Sequence, residues 1–183
     1  MKVALKNVRL AFTELFVAKD FKNDGKFKFG ATLLFEPGSD NEVKMREAID
    51  AVARDQWNAK AKGELAALEK KDRTCLHDGA DKDYDGFDGM LYVNATNTIR
   101  PTIVDQKRNP LVEADGKPYA GCYANAIIDV WAQDNQWGKR INASLSGVQF
   151  VKAGEAFAGG KAASIDEFDE VEDDDDDDFA DLV

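Results

Sequence analysis

Residues 123–151 read "YANAIIDVWAQDNQWGKRINASLSGVQFV". In the first run Ala124, Ala126, Ile128, Val130 and Ala132 share one face, and Tyr123, Asn125, Ile127, Asp129 and Trp131 share the other. In the second, Ile141, Ala143 and Leu145 alternate with Arg140, Asn142, Ser144 and Ser146. A strict period of two over this length is the pattern of half-buried strands, and "DNQWG" between them is a tight turn. Two strands alone cannot cover their apolar face, so this hairpin demands more strands or a helix around a common core.

The rest of the chain supplies both. Residues 3–12 read as a first strand. In "FKNDGKFKFGATLLFE" the pair Asp24-Gly25 marks a turn because both residues tolerate positive φ. After it Phe27, Phe29, Ala31, Leu33 and Phe35 alternate with Lys26, Lys28, Gly30, Thr32 and Leu34. Ser39 and Glu42 form a capping-box pattern at the start of a helix whose stripe is Met45, Ile49, Val52 and Ala53, with a break expected at Gly63. Residues 75–89 are polar and rich in Gly and Asp, which predicts a loop. Strand character returns in "MLYVNATNTIR", with Leu91, Val93 and Ala95 inward and Tyr92, Asn94, Thr96, Thr98 and Arg100 outward. A short strand and an Asp115-Gly116 turn precede the long hairpin.

This order predicts a mainly β fold with one inserted helix, an OB-fold-like antiparallel barrel. The barrel domain is expected over residues 1–153. A small-residue linker over 154–165 and a disordered acidic tail over 166–183 follow it.

Charge separates the tail from the body. The chain of 183 residues holds 35 Asp and Glu against 24 Lys and Arg. Twelve of those carboxylates lie in residues 166–183 with no cation among them, which leaves 23 acidic residues in 1–165 and a net of +1 there. A protein acidic over its whole surface is thereby excluded. Cys75 and Cys122, with no signal-like N-terminus, fit free thiols in a reducing cytoplasm. No apolar run approaches the roughly 20 residues that span a bilayer.

Groups for catalysis are sparse. His77 is the lone histidine and sits among turn residues. One His and two distant Cys do not make a structural zinc site. Asp81, Asp83, Asp85 and Gly86 occupy calcium-loop spacings, but the twelfth position is Tyr92 where a bidentate Glu is required. The sequence therefore points to no enzyme, no cofactor and no metal.

The outward strand faces are more informative. They interleave aromatic rings, amides, hydroxyls and cations, the combination that single-stranded nucleic acid requires, since bases stack on rings while phosphates follow cations. The candidate contacts are Lys26, Lys28, Tyr92, Arg100, Lys107, Arg108, Tyr123, Trp131, Trp137, Lys139 and Arg140. Trp57, on the helix, is expected to be a spectator. The tail, with Asp173, Asp174, Asp175, Asp176, Asp177 and Asp178 ahead of Phe179, Leu182 and Val183, resembles a polyanion with an apolar end. It can compete with DNA for a cationic groove and dock on partner proteins.

The runs "YVNATNTIRPTIVDQKRNPL" and "GCYANAIIDVWAQDNQWGKRINASLSGVQFVKAGEAF" resemble bacteriophage single-stranded DNA-binding proteins of a family first catalogued as a domain of unknown function. The resemblance implies an OB fold and binding of single-stranded DNA during phage replication or recombination. The tail is similar in design to those of T7-type phage and bacterial single-stranded DNA-binding proteins, where it recruits replication enzymes. This chain ends in Leu182-Val183 in place of the terminal Phe common there. Weaker binding of duplex DNA and a homodimer stay open at this point. So does a second reading, an interaction protein that binds a basic partner through its polyaspartate.

Overall fold

The computed structural model describes residues 1–157, so the acidic tail, with Asp173 to Asp178, Phe179, Leu182 and Val183, lies outside the described residues. In chain order the elements are β1 (Lys2–Asp20), β2 (Phe27–Phe35), α1 (Asp40–Trp57), α2 (Ala61–Lys70), β3 (Leu76–Asp78), β4 (Leu91–Asn97), β5 (Thr102–Val104), β6 (Tyr123–Asn135) and β7 (Gly138–Lys152). The strands form one sheet in the order β3-β4-β2-β1-β6-β7-β5, antiparallel throughout except where β5 runs parallel to β7. The fold is mainly β with a helical insertion, as the strand pattern predicts.

The sheet curls around a core that includes Leu5, Leu10, Leu33, Val93, Ile128, Val130 and Leu145, all fully buried. Curling brings β4 beside β7, where Asn97 Nδ2 donates to Leu145 O at 3.0 Å. Of the inward residues read from the alternation, Ala124, Ala126, Ile128, Val130, Ile141, Ala143 and Leu145 are buried, while Ala132, nearer the turn, is half-buried. Phe27 departs from that pattern and is exposed, because β1 and β2 extend past the barrel as a two-stranded arm with no layer beneath it.

β1 is longer than the expected strand over 3–12, and bulges make the length possible. Its ladder with β6 shifts register between Leu5 and Val8, where Asn7 has φ 49°. Two side chains hold this bulge. Asn41 of α1 accepts from Lys6 N at 2.9 Å and donates to Lys6 O at 2.8 Å, while Asn125 Oδ1 accepts from Asn7 N at 3.0 Å. Buried Asn41 thus satisfies the backbone groups that the extra residue leaves unpaired.

The helix departs from the sequence reading in two places. Ser39 makes no side-chain cap; its hydroxyl donates to Glu36 O at 2.6 Å, and Glu42 accepts from Gly38 N, also at 2.6 Å. The capping box is therefore displaced by one residue. The break falls at Asn58, whose φ of 48° ends α1, and a single 3₁₀ turn, Asn58–Lys60, leads into α2. Gly63 sits inside α2 with open space around the position of a Cβ. Gly63→Ala should therefore raise stability by about 0.5–1 kcal/mol, since Ala loses less backbone entropy in a helix. An unchanged or lower urea midpoint would contradict this placement.

Met45, Ala48, Ile49, Ala53 and Trp57 carry the buried face of the helix onto the sheet. Cys75 and Cys122 are free and buried; burial pushes the Cys75 thiol up to about 12 and raises that of Cys122. Among the described residues no helix is long and apolar enough to cross a membrane, and no three His, Cys, Asp or Glu side chains are grouped to hold a metal ion.

Candidate nucleic-acid interface

Register places one row of side chains across the outer face of six strands: His77, Tyr92, Leu34, Arg9, Tyr123 and Lys152. A second row holds Asn94, Thr32 and Ala11, and a third Thr96, Gly30 and Glu14. Over the second and third rows lies a groove of about 300 Å³. Its floor is Gly30, Thr32, Asn94 and Thr96, with Thr32 Oγ1 donating to Asn94 Oδ1 at 2.7 Å. Gly30 is required there, because a Cβ would lie 2.9 Å from Thr96 Cγ2 and 3.1 Å from Ala95 O.

Aromatic rings wall the groove. Phe12, Phe21 and Tyr84 are 52%, 45% and 56% exposed, so their faces are open to a ligand. Phe12 and Tyr84 meet edge-on with centroids 5.1 Å apart, and Tyr84 meets Phe87 at 5.5 Å. Phe12 stands at a second bulge, between Ala11 and Glu14, with φ 48°. A bulky residue in that region costs on the order of 1–3 kcal/mol, which points to a role that offsets it. Lys82 adds a cation at the rim.

Tyr84 and Lys82 come from the loop that carries calcium-like spacing. Gly79 N donates to Met90 O at 2.8 Å, and turns at Lys82, Phe87 and Met90 fold the chain over β4. This loop presents the Tyr84 ring and buries that of Phe87. The short strand β3, which precedes the loop, is absent from the sequence reading because only three residues form it.

The sequence-derived candidates divide into separate groups. Tyr92 faces outward as expected but is 5% exposed, covered by Phe87 at 5.2 Å and stacked on His77 at 5.0 Å. Burial raises its phenol above the ordinary range, and it serves as the floor under the wall of the groove instead of a free stacking face. Lys28 follows on the same face, two residues before Gly30, and Lys26 lies just ahead of it in the arm. Arg100 rests over the Phe16 ring at 5.4 Å. Lys107 and Arg108 project from a loop drawn tight by Asp105, which accepts from Lys107 N and Asn109 N, each at 2.8 Å. Gln106 Nε2 ties this loop to Val151 O at 3.0 Å, near the Tyr123–Lys152 pair.

Trp131, Trp137, Lys139 and Arg140 stand elsewhere. Trp131 is eight residues along β6 from Tyr123, roughly 26 Å away at strand rise. Trp131 Nε1 donates to Ser144 Oγ at 3.0 Å, and Trp137 at the turn is 78% exposed. Arg140 is exposed. Lys139 is engaged: its ammonium donates to Glu64 Oε1 at 2.5 Å, lies 3.8 Å from Asp134 and sits 5.8 Å from the centroid of the Trp57 ring. The hydrogen bond to Glu64 holds its pKa above the ordinary lysine value. Trp57 is buried, with Nε1 donating to Asp134 Oδ2 at 2.7 Å.

Sequence reasoning missed Phe12, Phe21, Lys82 and Tyr84. The available signal was an aromatic beside cations within two Asp- and Gly-rich turns, "FKNDGKF" and "DKDYDGF". A barrel face crossed by exposed rings, amides and cations is the geometry of a single-strand binder, and comparison with known proteins agrees. Protein p50 of Acyrthosiphon pisum secondary endosymbiont phage 1 is 40% identical over 174 residues, covering 93% of this chain and 94% of that protein. The single-stranded DNA-binding protein from bacteriophage Enc34 superposes with a TM-score of 0.69 at 25% identity, over 92% of this chain and 90% of that one. Its complex with ssDNA superposes at 0.65 and 26% identity, over 85% and 88%. The fold is also that of gp2.5, a single-stranded DNA binding protein of bacteriophage T7, at a TM-score of 0.54 and 14% identity over 95% and 96% of the two chains. The family model described by the ssDNA-binding protein of Enterobacter phage Enc34 matches residues 1–180, and this chain belongs to that family.

Proposed function

We propose that this chain binds single-stranded DNA without catalysis, coats it during phage replication or recombination in the host cytoplasm, and uses its acidic tail to regulate access and recruit partners. The observation that supports this most is the groove in which Phe12, Phe21 and Tyr84 stand exposed over the floor of β2 and β4. Bases stack on these rings, with Tyr92 beneath as support, and the phosphates run past Lys26, Lys28 and Lys82. Tyr123, Lys107 and Arg108 extend the track on one side, and Arg100 borders the arm. Trp131, Trp137 and Arg140 form a separate contact for a longer strand.

Salt dependence tests the cationic track. Lys28→Ala should reduce the slope of log affinity against log salt by roughly 0.7, the value for one phosphate contact on a single strand. Lys139→Ala should leave the slope unchanged, because its ammonium already serves Glu64. Equal slope changes in the two variants would refute this division.

The tail, tethered near the track, acts as a competitor at an effective concentration on the order of millimolar. Its partners are replication or recombination proteins that take up Phe179, Leu182 and Val183 when DNA displaces the aspartates. Oligo-dT titration of the full chain and of a chain ending at Ile165, at two salt concentrations, tests both parts. Truncation should raise affinity, most strongly at low salt, since the Debye length is only about 10 Å at 0.1 M. Lower affinity after truncation would end the competitor reading. Absence of binding by either protein would leave a polyaspartate-dependent interaction protein as the better reading.

A further inference from the structure

The segment leading toward the acidic tail does not leave the body at the end of β7. Tyr119 Oη donates to Gly154 O at 2.9 Å, and Phe157 N donates to Ala120 O at 3.2 Å. Arg9 fixes the stretch between them: its Nε donates to Gly121 O at 3.1 Å and its Nη2 to Glu155 O at 2.9 Å. The Phe157 ring lies 4.2 Å from the Arg9 guanidinium, whose other neighbour is the Tyr123 ring at 5.9 Å. Lys152 Nζ stands 4.7 Å from that tyrosine's centroid. An aromatic ring thus sits on a planar cation in the middle of the outer row, with a second cation two strands away.

We infer that Arg9 and Tyr123 form a second stacking subsite for a base of single-stranded DNA, and that the chain's own Phe157 fills it when DNA is absent. This rests on the DNA-binding reading above. Three features favour an exchangeable ring over a permanent one. Phe157 is half-buried, and one backbone hydrogen bond of its own holds it. The seat packs on Phe87 at the edge of the aromatic groove on one side and borders open ground on the other, a cavity of about 620 Å³ whose lining mixes Lys6, Arg9 and Lys44 with Glu36, Asp40 and Asp88 and includes Tyr123. The replacement is also close to neutral in kind, because a base offers a guanidinium the same flat π face that phenylalanine does. Release of Glu155 O frees Arg9 Nη2 for a phosphate, so a strand gains an ion pair where the tail root offered the cation an uncharged carbonyl.

Gly86 shows how closely the seat fits. A Cβ on Gly86 would collide with the Phe157 ring, so the loop that presents Tyr84 rests against it. Binding at the groove and departure of Phe157 are therefore linked through one loop. The link carries occupancy of the DNA track to the root of the acidic tail, nine residues before Asp166.

Amide exchange on the full chain, with and without saturating oligo-dT, reads the swap at the Phe157 N–H. Exchange at Phe157 should accelerate at least tenfold in the complex, while Ala126 and Val130 in β6 stay protected. Phe157→Ala should bind oligo-dT several-fold more tightly than the wild type, with the tail charge intact. Normal oligo-dT binding with equal or greater protection at Phe157 would make the ring a permanent staple and overturn this inference alone. Unchanged affinity in Phe157→Ala would overturn it equally. Failure of the wild type to bind oligo-dT at all would overturn the DNA reading and this inference with it.

Discussion

Replacing Phe12 and Tyr84 together with alanine should lower affinity for oligo-dT by roughly thirtyfold or more. Each ring that stacks a base contributes about 1–3 kcal/mol, and two such losses at the lower limit reach that factor. The rings touch each other, so the two single variants should overlap and fall short of additivity when summed. A control separates binding from folding. At the positive φ of residue 12, glycine is less strained than alanine by about 1 kcal/mol, so Phe12→Gly should be more stable than Phe12→Ala. Both should bind DNA equally weakly. Wild-type affinity in the double variant would remove the groove from the interface, whatever the stability order.

Leu145→Ala should destabilise the fold by about 2–5 kcal/mol, a large share of the roughly 5–15 kcal/mol that holds a typical domain together. Leu145 is fully buried on β7, and its carbonyl receives Asn97 where the sheet curls back on itself. The cavity would open at the point where β4 and β7 meet, with few neighbours free to fill it. Trp137→Ala, by contrast, removes a far larger side chain from solvent and should stay within about 0.5 kcal/mol of the wild type. Urea midpoints for the two variants check the contrast; a comparable loss in both would mean that the hairpin turn packs on something.

The strands of the long hairpin were legible because each has one face against the core, so a period of two appears in the residues themselves. β2 was legible only from Ala31 onward. Leu34 sits on the outer face yet is fully buried, since the loop before β4 covers it, and no alternation announces a second layer made by a loop. The cover over the outward Tyr92 ring escaped the sequence for the same reason. The end of α1 was assigned to Gly63 by propensity, whereas the turn there follows from the tertiary docking of Trp57 on Asp134 and Lys139. Among the candidate contacts, charge alone did not distinguish Lys28, on the outer face two residues from Gly30, from Lys139, which a carboxylate 75 residues away holds. The groove itself is built from three distant pieces, the bulge at Phe12, the arm at Phe21 and the loop at Tyr84. Their meeting is a product of topology that local pattern does not encode.

β1 joins the two halves of the sheet around Arg9 and Leu10: Arg9 pairs with Leu34 on one side and Tyr123 on the other, and Leu10 pairs with Leu33 and exchanges backbone bonds with Gly121 and Cys122. The residues before Arg9 pair only with β6, and the N-terminal amine itself donates to Val130 O at 2.5 Å. During synthesis at about 5–20 residues per second, those first residues must wait some 6–24 s for their partner strand to be made. For that interval Val3, Leu5 and Val8 belong to a strand with an open edge, on every nascent copy of the same message. Lys2 and Lys6, interleaved among them, place like charges wherever two such strands would align. On a crowded polysome, these charges keep one unfinished chain from completing its sheet with another's.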